Sequence, residues 1–294
     1  MEKLPKMGLG TFPYRDELYV SIPNALKVGY KLIDTSDDYL NQVYIGDLLR
    51  NDKIDRDSFI LSTKISWPIS PSDVEQRMLH NQYELGLIDG TVDILLLHFP
   101  YPYIYIDIWK EIEELHLNGK CKMIGVCNFE VKHLKKLLSK CRIKPMFNQI
   151  ELHPLFRQPE ICGFCEEHGI RIMSYSPLAR MNARLFQNEQ LELLAEKYSK
   201  SIAQVILRWN IQHEYIPIPA TANLSHAEMN IDIFDFELTD DEMLLIDSLD
   251  EGMRIRYNPN TMFSNGQKIK GYIGHIEYIL KKVGRFPRKG GKNE

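Results

Sequence analysis

The sequence predicts an α/β fold, a single (β/α)8 TIM barrel, and three observations carry that expectation. Short apolar runs recur along the chain, segments with helical periodicity fill the intervals, and the runs are apolar throughout rather than alternating. Strands that are apolar on both faces belong to parallel sheets covered by helices. Eight such units in about 220 residues fit a closed barrel.

The strand candidates, in order, are "MGLGTF" (7–12), "KLIDT" (31–35), "SFILSTK" (58–64), "TVDILLLH" (91–98), "CKMIGVC" (121–127), "MFNQIEL" (146–152), "IRIMSYS" (170–176) and "YIPIP" (215–219). Helical periodicity marks "DIWKEIEELHLNGK" (107–120), "EVKHLKKLLSKC" (130–141), "PEICGFCEEHG" (159–169) and "IAQVILRWNIQH" (202–213). Further on, Thr239 followed by Glu242 ahead of an apolar run is a capping-box signature for one more helix. The rival architecture is an open doubly wound sheet, which would place G-x-G-x-x-G at the first crossover helix. "GLGTFPY" supplies only the first two glycines, and no helical pattern follows at once. With no longer repeat and no low-complexity linker, one domain is expected over 1–294. Within it, 253–294 reads as a C-terminal loop or tail packed near the barrel mouth, ending in a basic, solvated stretch.

Composition narrows the function. Hydrophobic residues make up 44% and charged residues 26% of the 294, as in a globular protein. A formal net charge of −4 speaks against a nucleic-acid partner, which would call for a basic face. No apolar run approaches the ~18 residues of a membrane span, and the N-terminus lacks a signal-peptide core. A cytoplasmic protein with no membrane partner is expected. The cysteines are Cys121, Cys127, Cys141, Cys162 and Cys165, an odd count that suggests reduced thiols. Cys162, Cys165 and His168 could be metal ligands, but no second pair matches them and the segment reads as helical. Packing is the better reading, and no metal is expected.

In a barrel, chemistry gathers at the C-terminal ends of strands. Those positions hold Asp34, Lys64, His98, Asn128, Gln149 and Tyr175, with Tyr39 just past strand two. Each has an ordinary alternative when taken singly. Asp34 with Thr35 and Ser36 would serve to cap a helix, Lys64 would serve as a solvated charge, and His98 as a hydrogen-bonded core histidine. Their convergence on one mouth is the argument for function. A phenol is a poor acid at neutral pH. An adjacent ammonium favours tyrosinate, and a carboxylate beyond it holds the ammonium charged. A neutral imidazole can orient a carbonyl oxygen. The set suits proton delivery to a carbonyl as hydride arrives at carbon. Asp37 and Asp38 read as turn and cap residues only.

The ordered set "MGLGTF", "GYKLIDTSDDYLNQVYIG", "STK", "VDILLLHFP", "NGKCKMIGVCNF", "FNQIELHP", "YSPL" and "AQVILRW" resembles the aldo-keto reductase superfamily over most of the chain. The resemblance implies an NAD(P)H-dependent oxidoreductase that reduces an aldehyde or ketone to an alcohol. It makes Tyr39 the general acid, tuned by Asp34 and Lys64, with His98 orienting the substrate carbonyl. It assigns Asn128 and Gln149 to the nicotinamide carboxamide and Tyr175 to the face of its ring. Ser176 and Leu178 match pyrophosphate contacts, and Thr221 and Asn230 further cofactor contacts. Phe12, Phe99 and Trp67 match or neighbour pocket-lining positions. The implied partners are a small-molecule carbonyl substrate and a nicotinamide cofactor, and the implied state is a monomer.

Two departures qualify the resemblance. Cys127 stands where the family has Ser, which would soften one carboxamide contact because a thiol is a weak donor. In "IPATANLSHAEMN" (218–230), Ala220 and His226 replace the Lys and Arg that grip the NADP 2′-phosphate, and Met229 replaces a Glu. NADP(H) or NAD(H) is therefore expected, with NADP selectivity in doubt. That altered segment also keeps open a cofactor-binding regulatory or vestigial barrel with little turnover. A barrel lyase or isomerase using Lys64 as a Schiff base is a third alternative. Substrate choice is expected to rest on "PYPYIYID" after His98 and on the segment from Ile255, whose aromatic residues could cover the pocket.

Overall fold

Parallel pairing runs in strict chain order from the first strand to the last in the computed structural model, which describes residues 4–67, 70–87 and 90–261. The order is β1 (Leu9–Gly10), α1 (Leu18–Lys27), β2 (Leu32–Asp34), α2 (Gln42–Arg50), β3 (Ile60–Ile65), α3 (Asp73–Glu84) and β4 (Val92–Leu97). It continues with α4 (Tyr105–Leu117), β5 (Cys121–Cys127), α5 (Val131–Leu138), β6 (Phe147–Glu151), α6 (Pro159–Glu167) and β7 (Arg171–Tyr175). Next come α7 (Ala183–Phe186), α8 (Glu189–Tyr198), α9 (Ile202–Gln212), β8 (Ile216–Pro217), α10 (Leu224–Ile231) and α11 (Asp240–Asp247). The predicted strands are all present. The Thr239–Glu242 capping box starts α11, with Thr239 N donating to Glu242 Oε2 at 2.8 Å.

The first and last strands are shorter than their apolar runs, and the prolines of "YIPIP" explain why. Gly8 N donates to Pro217 O and Gly10 N to Pro219 O, both at 3.0 Å, which joins β8 back to β1. Pro217 and Pro219 accept from β1 but have no N–H to return, so at these two positions the seam is bonded from one side only. On its other edge Ile218 N donates to Ser174 O at 3.0 Å. The seam is also tight: a Cβ on Gly10 would lie 2.9 Å from the Ile218 carbonyl oxygen.

Inside the barrel, period-2 alternation sorts the chemistry. One inward layer is apolar: Leu32, Ile94, Leu96, Phe147, Met173, Ile216 and Ile218 form a cluster with Cys127. Two residues further along the same strand faces lie Asp34, Lys64 beyond Ser62, His98, Gln149 and Tyr175. Because all strands run parallel, these second-layer side chains emerge at one mouth.

Residues Met1–Arg256 form one compact unit and Tyr257–Glu294 a second. In the first, the segment after α11 returns to the end of β6, where Ile255 N and Arg256 N donate to the two oxygens of Glu151 at 2.6 and 3.0 Å. Of the second, only 257–261 are described, where Thr261 N bonds Asn258 O at 3.1 Å. Of the tail expected over 253–294, residues 262–294 lie outside the described residues.

Candidate active site

Strand register brings the candidate residues together. Asp34 pairs with Ser62 across β2 and β3, and Lys64 follows Ser62 on the same face. Lys64 Nζ donates to Asp34 Oδ2 at 2.7 Å and to Thr35 O at 2.7 Å. Asp34 Oδ1 accepts from Ser62 Oγ and from Gln149 Nε2, each at 2.9 Å. Both partners of the ion pair are buried. Burial works against the Lys64 ammonium, but the Asp34 carboxylate, together with Tyr39 and Cys127, outweighs it and holds the lysine charged above its ordinary range.

Tyr39 ends a short 3₁₀ turn (Asp37–Tyr39) between β2 and α2, and that turn brings its ring back over β3. Lys64 Nζ lies 5.0 Å from the ring centroid. The rings of Phe12 and His98 lie at 5.1 and 6.0 Å. Burial pushes the phenol above its ordinary pKa, and the Lys64 charge pulls the other way without overcoming it. The sequence-based expectation of a phenol more acidic than usual is corrected here. Tyr39 is held protonated at neutral pH, with the Lys64 charge favouring the phenolate less than burial disfavours it.

His98 continues the inward face of β4 and stacks on Phe99 at 4.5 Å. Its Nδ1 lies 2.7 Å from Ser66 Oγ, 3.3 Å from Ser36 Oγ and 3.4 Å from Asp38 Oδ1. Burial pushes its pKa down to about 4, so the imidazole is neutral at pH 7. A pH–rate profile of the reaction between pH 5 and 8 should therefore show no inflection near 6.5 that depends on His98. An inflection there that vanishes in His98→Gln would count against a neutral imidazole.

The remaining candidates surround this centre. Asn128, in the left-handed region at φ 64°, donates to His98 O at 3.0 Å and accepts from Tyr175 Oη at 2.8 Å. Ser176 follows β7 directly in another left-handed turn, at φ 50°, and Leu178 O accepts from Met181 N at 2.9 Å. Trp67 lies 5.8 Å from Phe99, and Phe12 carries the Arg256 guanidinium 5.4 Å over its ring. Thr221 is buried and accepts from Asn223 N at 3.1 Å, whereas Asn230 is buried on α10 beside the Tyr30 phenol. Ala220 and His226 are exposed. Cys127 packs in the apolar cluster beneath the mouth.

Two carboxylates read from sequence as turn or cap residues lie in the 3₁₀ turn and also face the candidate residues. Asp37 Oδ2 accepts from Ser66 N at 3.1 Å and faces Arg77 at 3.7 Å. Asp38 bonds Ser36 at 2.7 Å and Trp67 Nε1 at 3.1 Å and faces His98. Tyr101, not singled out from sequence, is buried beneath Trp67 and accepts from its backbone N–H at 2.7 Å. The missed signal was spacing: Ser36 and Ser66 each lie two residues past an inward strand residue, Asp34 and Lys64.

On α6, Cys162 Sγ donates to Arg157 O at 3.5 Å and His168 Nδ1 lies 2.9 Å from Phe164 O. Among the described residues, no group of three or more His, Cys, Asp or Glu could hold a metal ion. Nor is any described helix long and apolar enough to cross a membrane.

The family model described as "Aldo/keto reductase family" matches residues 6–251. Methylglyoxal reductase DkgA of Escherichia coli (strain K12) is 35% identical over 260 residues, covering 87% of this chain and 94% of that protein. Glyoxal reductase of Bacillus subtilis (strain 168) is 36% identical over 262 residues, covering 88% and 94%. Among solved structures, a Bombyx mori aldo-keto reductase in complex with NADP superposes with a TM-score of 0.81 at 28% identity, covering 88% of this chain and 94% of that one.

Proposed function

This chain belongs to the aldo/keto reductase family and is a nicotinamide-dependent carbonyl reductase, and we propose that Tyr39 gives the carbonyl oxygen its proton within the Asp34–Lys64–His98 frame. One observation carries the assignment. A buried ammonium lies 5.0 Å from the Tyr39 ring and is anchored by a buried carboxylate at 2.7 Å. A Schiff-base role for Lys64 would require a neutral amine, whereas its environment holds it charged.

The chain's residues suit the cofactor that the family implies. Asn128 and Gln149 bring amides, and Tyr175 an aromatic ring, to the ends of three adjacent strands at the same mouth as Tyr39. Asn128, Gln149 and Tyr175 would hold the nicotinamide ring, with Ser176 and Leu178 beside the pyrophosphate and Thr221 and Asn230 further along. When bound, the nicotinamide supplies hydride to the carbonyl carbon. Tyr39 donates the proton, Lys64 favours the resulting phenolate, and Asp34 holds Lys64 in place. His98 orients the substrate, while Phe12, Phe99 and Trp67 exclude water around it. The names of the relatives favour a small aldehyde or dicarbonyl as substrate. A cytoplasmic monomer completes the reading, supported by the family resemblance.

Cofactor choice follows from charge. Segment 218–230 holds neither Lys nor Arg, and each charge-assisted bond to the 2′-phosphate contributes about 1.5–3 kcal/mol. NADH is therefore usable or preferred. Fluorescence-quenching titrations should give Kd values for NADH and NADPH within about tenfold, a gap of about 1.4 kcal/mol. Installing Ala220→Lys and His226→Arg together should tighten NADPH alone. NADPH bound about a hundredfold tighter than NADH by the unmodified chain would refute the assignment.

A further inference from the structure

We propose that Arg256 is a specificity-determining residue, a cation fixed at the barrel mouth that favours carbonyl substrates carrying a carboxylate. The proposal rests on the carbonyl-reductase reading and narrows its substrate class. Beyond α11 the stretch "GMRIR" (252–256) sets two arginines two residues apart. Their side chains go to different walls of the mouth.

Arg254 fastens the segment. Its Nη2 donates to Glu130 Oε1 at 3.1 Å, and its guanidinium lies 4.5 Å over the Phe156 ring. Both partners belong to the loops after β5 and β6. Arg256 instead reaches the loop after β1, where its guanidinium lies 5.4 Å over Phe12. The Phe12 ring is also 5.1 Å from the ring of Tyr39. One aromatic side chain therefore adjoins both the proposed acid and the guanidinium.

The charge is also felt across the mouth. Burial is the main reason that the His98 pKa is low, and Arg256 is one of the charges acting on it, after Asp38, Lys64 and Asp34. At the end of β7, burial pushes the Tyr175 phenol up and Glu151 adds to that, while Arg254 and Arg256 oppose it.

The backbone makes the position definite. Glu151 is buried, and its two oxygens accept from Ile255 N at 2.6 Å and Arg256 N at 3.0 Å. An arginine on a loose surface loop loses much conformational freedom when it meets a ligand. Here the main chain is already pinned to a buried carboxylate and the guanidinium rests over an aromatic face, so less is lost. The guanidinium stays charged at any working pH, and its planar fork matches a carboxylate through two parallel bonds. Arg256 is half-buried, so solvent and salt screen it less than a fully exposed charge.

Asp38 decides where such a carboxylate would lie. Its own carboxylate faces His98 at 3.4 Å and repels a second negative charge there. An acidic substrate is therefore directed to the Phe12 wall, with its carbonyl at Tyr39 and its carboxylate at Arg256. The preferred compounds hold the two groups apart by a ring or a short carbon chain, as Phe12 separates the two side chains.

The test compares 4-formylbenzoate with methyl 4-formylbenzoate, which share the ring and the aldehyde but differ in charge. The unmodified chain should favour the acid by about tenfold in kcat/KM, mainly through KM. Arg256→Met keeps an apolar side chain against Phe12 and should bring the two compounds within about twofold. Arg256→Lys, which keeps the charge, should retain more of the preference than Arg256→Met does. An ester reduced as well as the acid by the unmodified chain, a preference that survives Arg256→Met, or a lysine no better than methionine overturns the proposal. Fluorescence-quenching titrations with NADH and NADPH test whether the guanidinium holds a cofactor phosphate instead. Cofactor affinity that falls in Arg256→Met as far as kcat/KM for the acid also overturns it. A readout without turnover follows the Arg256 side-chain ¹⁵Nε–¹Hε signal in the cofactor-free chain, assigned by its loss in Arg256→Met. The acid should shift this signal and the ester should not, and equal responses count against the proposal. If neither aldehyde is reduced, the reductase reading fails, and the arginine signal still decides whether a carboxylate meets Arg256.

Discussion

Tyr39→Phe is expected to lower carbonyl reduction by about 10²–10⁴-fold, the span that a positioned general acid supplies, while leaving nicotinamide binding unchanged. The substitution removes one hydroxyl and keeps the ring, so the tilted contact with Phe12, the Lys64 charge over the face and the edge of His98 all persist. No neighbouring group can replace the lost proton at neutral pH. His98 is pushed down to about 4 and is already deprotonated. Lys64 is held charged by Asp34, and surrendering its proton would strand a buried carboxylate. Single-turnover oxidation of bound cofactor by an aldehyde measures the chemical step, and fluorescence quenching measures binding. Retention of more than about a tenth of the rate, far above what losing a general acid allows, would remove Tyr39 from the acid's role. The phenol's raised pKa also sharpens what Lys64 does. Burial alone would make phenolate formation costly, and the ammonium offsets part of that cost at the moment of transfer.

Much of this site could be read from the chain because a parallel barrel converts sequence position into depth. An inward residue at the end of a strand must reach the mouth, and Asp34, Lys64, His98, Gln149 and Tyr175 all obey that rule. What escaped were relations between strands. That Gln149 donates to Asp34 depends on β2 and β6 facing each other across the barrel, 115 residues apart in sequence. That Asp38 faces His98 depends on a 3₁₀ turn whose two aspartates resemble ordinary turn chemistry. The one-sided seam at Pro217 and Pro219 escaped for another reason. Apolar character marks a strand, but the ladder's length depends on which residues carry an N–H. Glu151 shows the same limit, since its backbone partners at Ile255 and Arg256 come from the far end of the barrel unit.

The second large effect is expected from Lys64→Met, which should both silence the enzyme and destabilise it by about 3–5 kcal/mol, the usual cost of stranding one member of a buried ion pair. The lysine is fully buried, and its ammonium bonds Asp34 Oδ2 and Thr35 O, each at 2.7 Å. Methionine fills the space but leaves the carboxylate, among the described residues, with Ser62 and Gln149 as its side-chain donors and without the Lys64 counter-charge. It also leaves the Thr35 carbonyl without this bond. Such a loss is a large part of the about 5–15 kcal/mol that holds a typical fold. Adding Asp34→Asn removes the stranded charge, so the double variant should be more stable than Lys64→Met alone, a coupling that denaturant midpoints can resolve. Activity should behave differently. The double variant restores neutrality but not a cation beside Tyr39, so reduction should stay as low as in the single variant. This separation distinguishes a lysine that tunes the acid from one that only holds two strands together. If activity returned along with stability, the ammonium would be structural, and the proton would have to leave Tyr39 without its help.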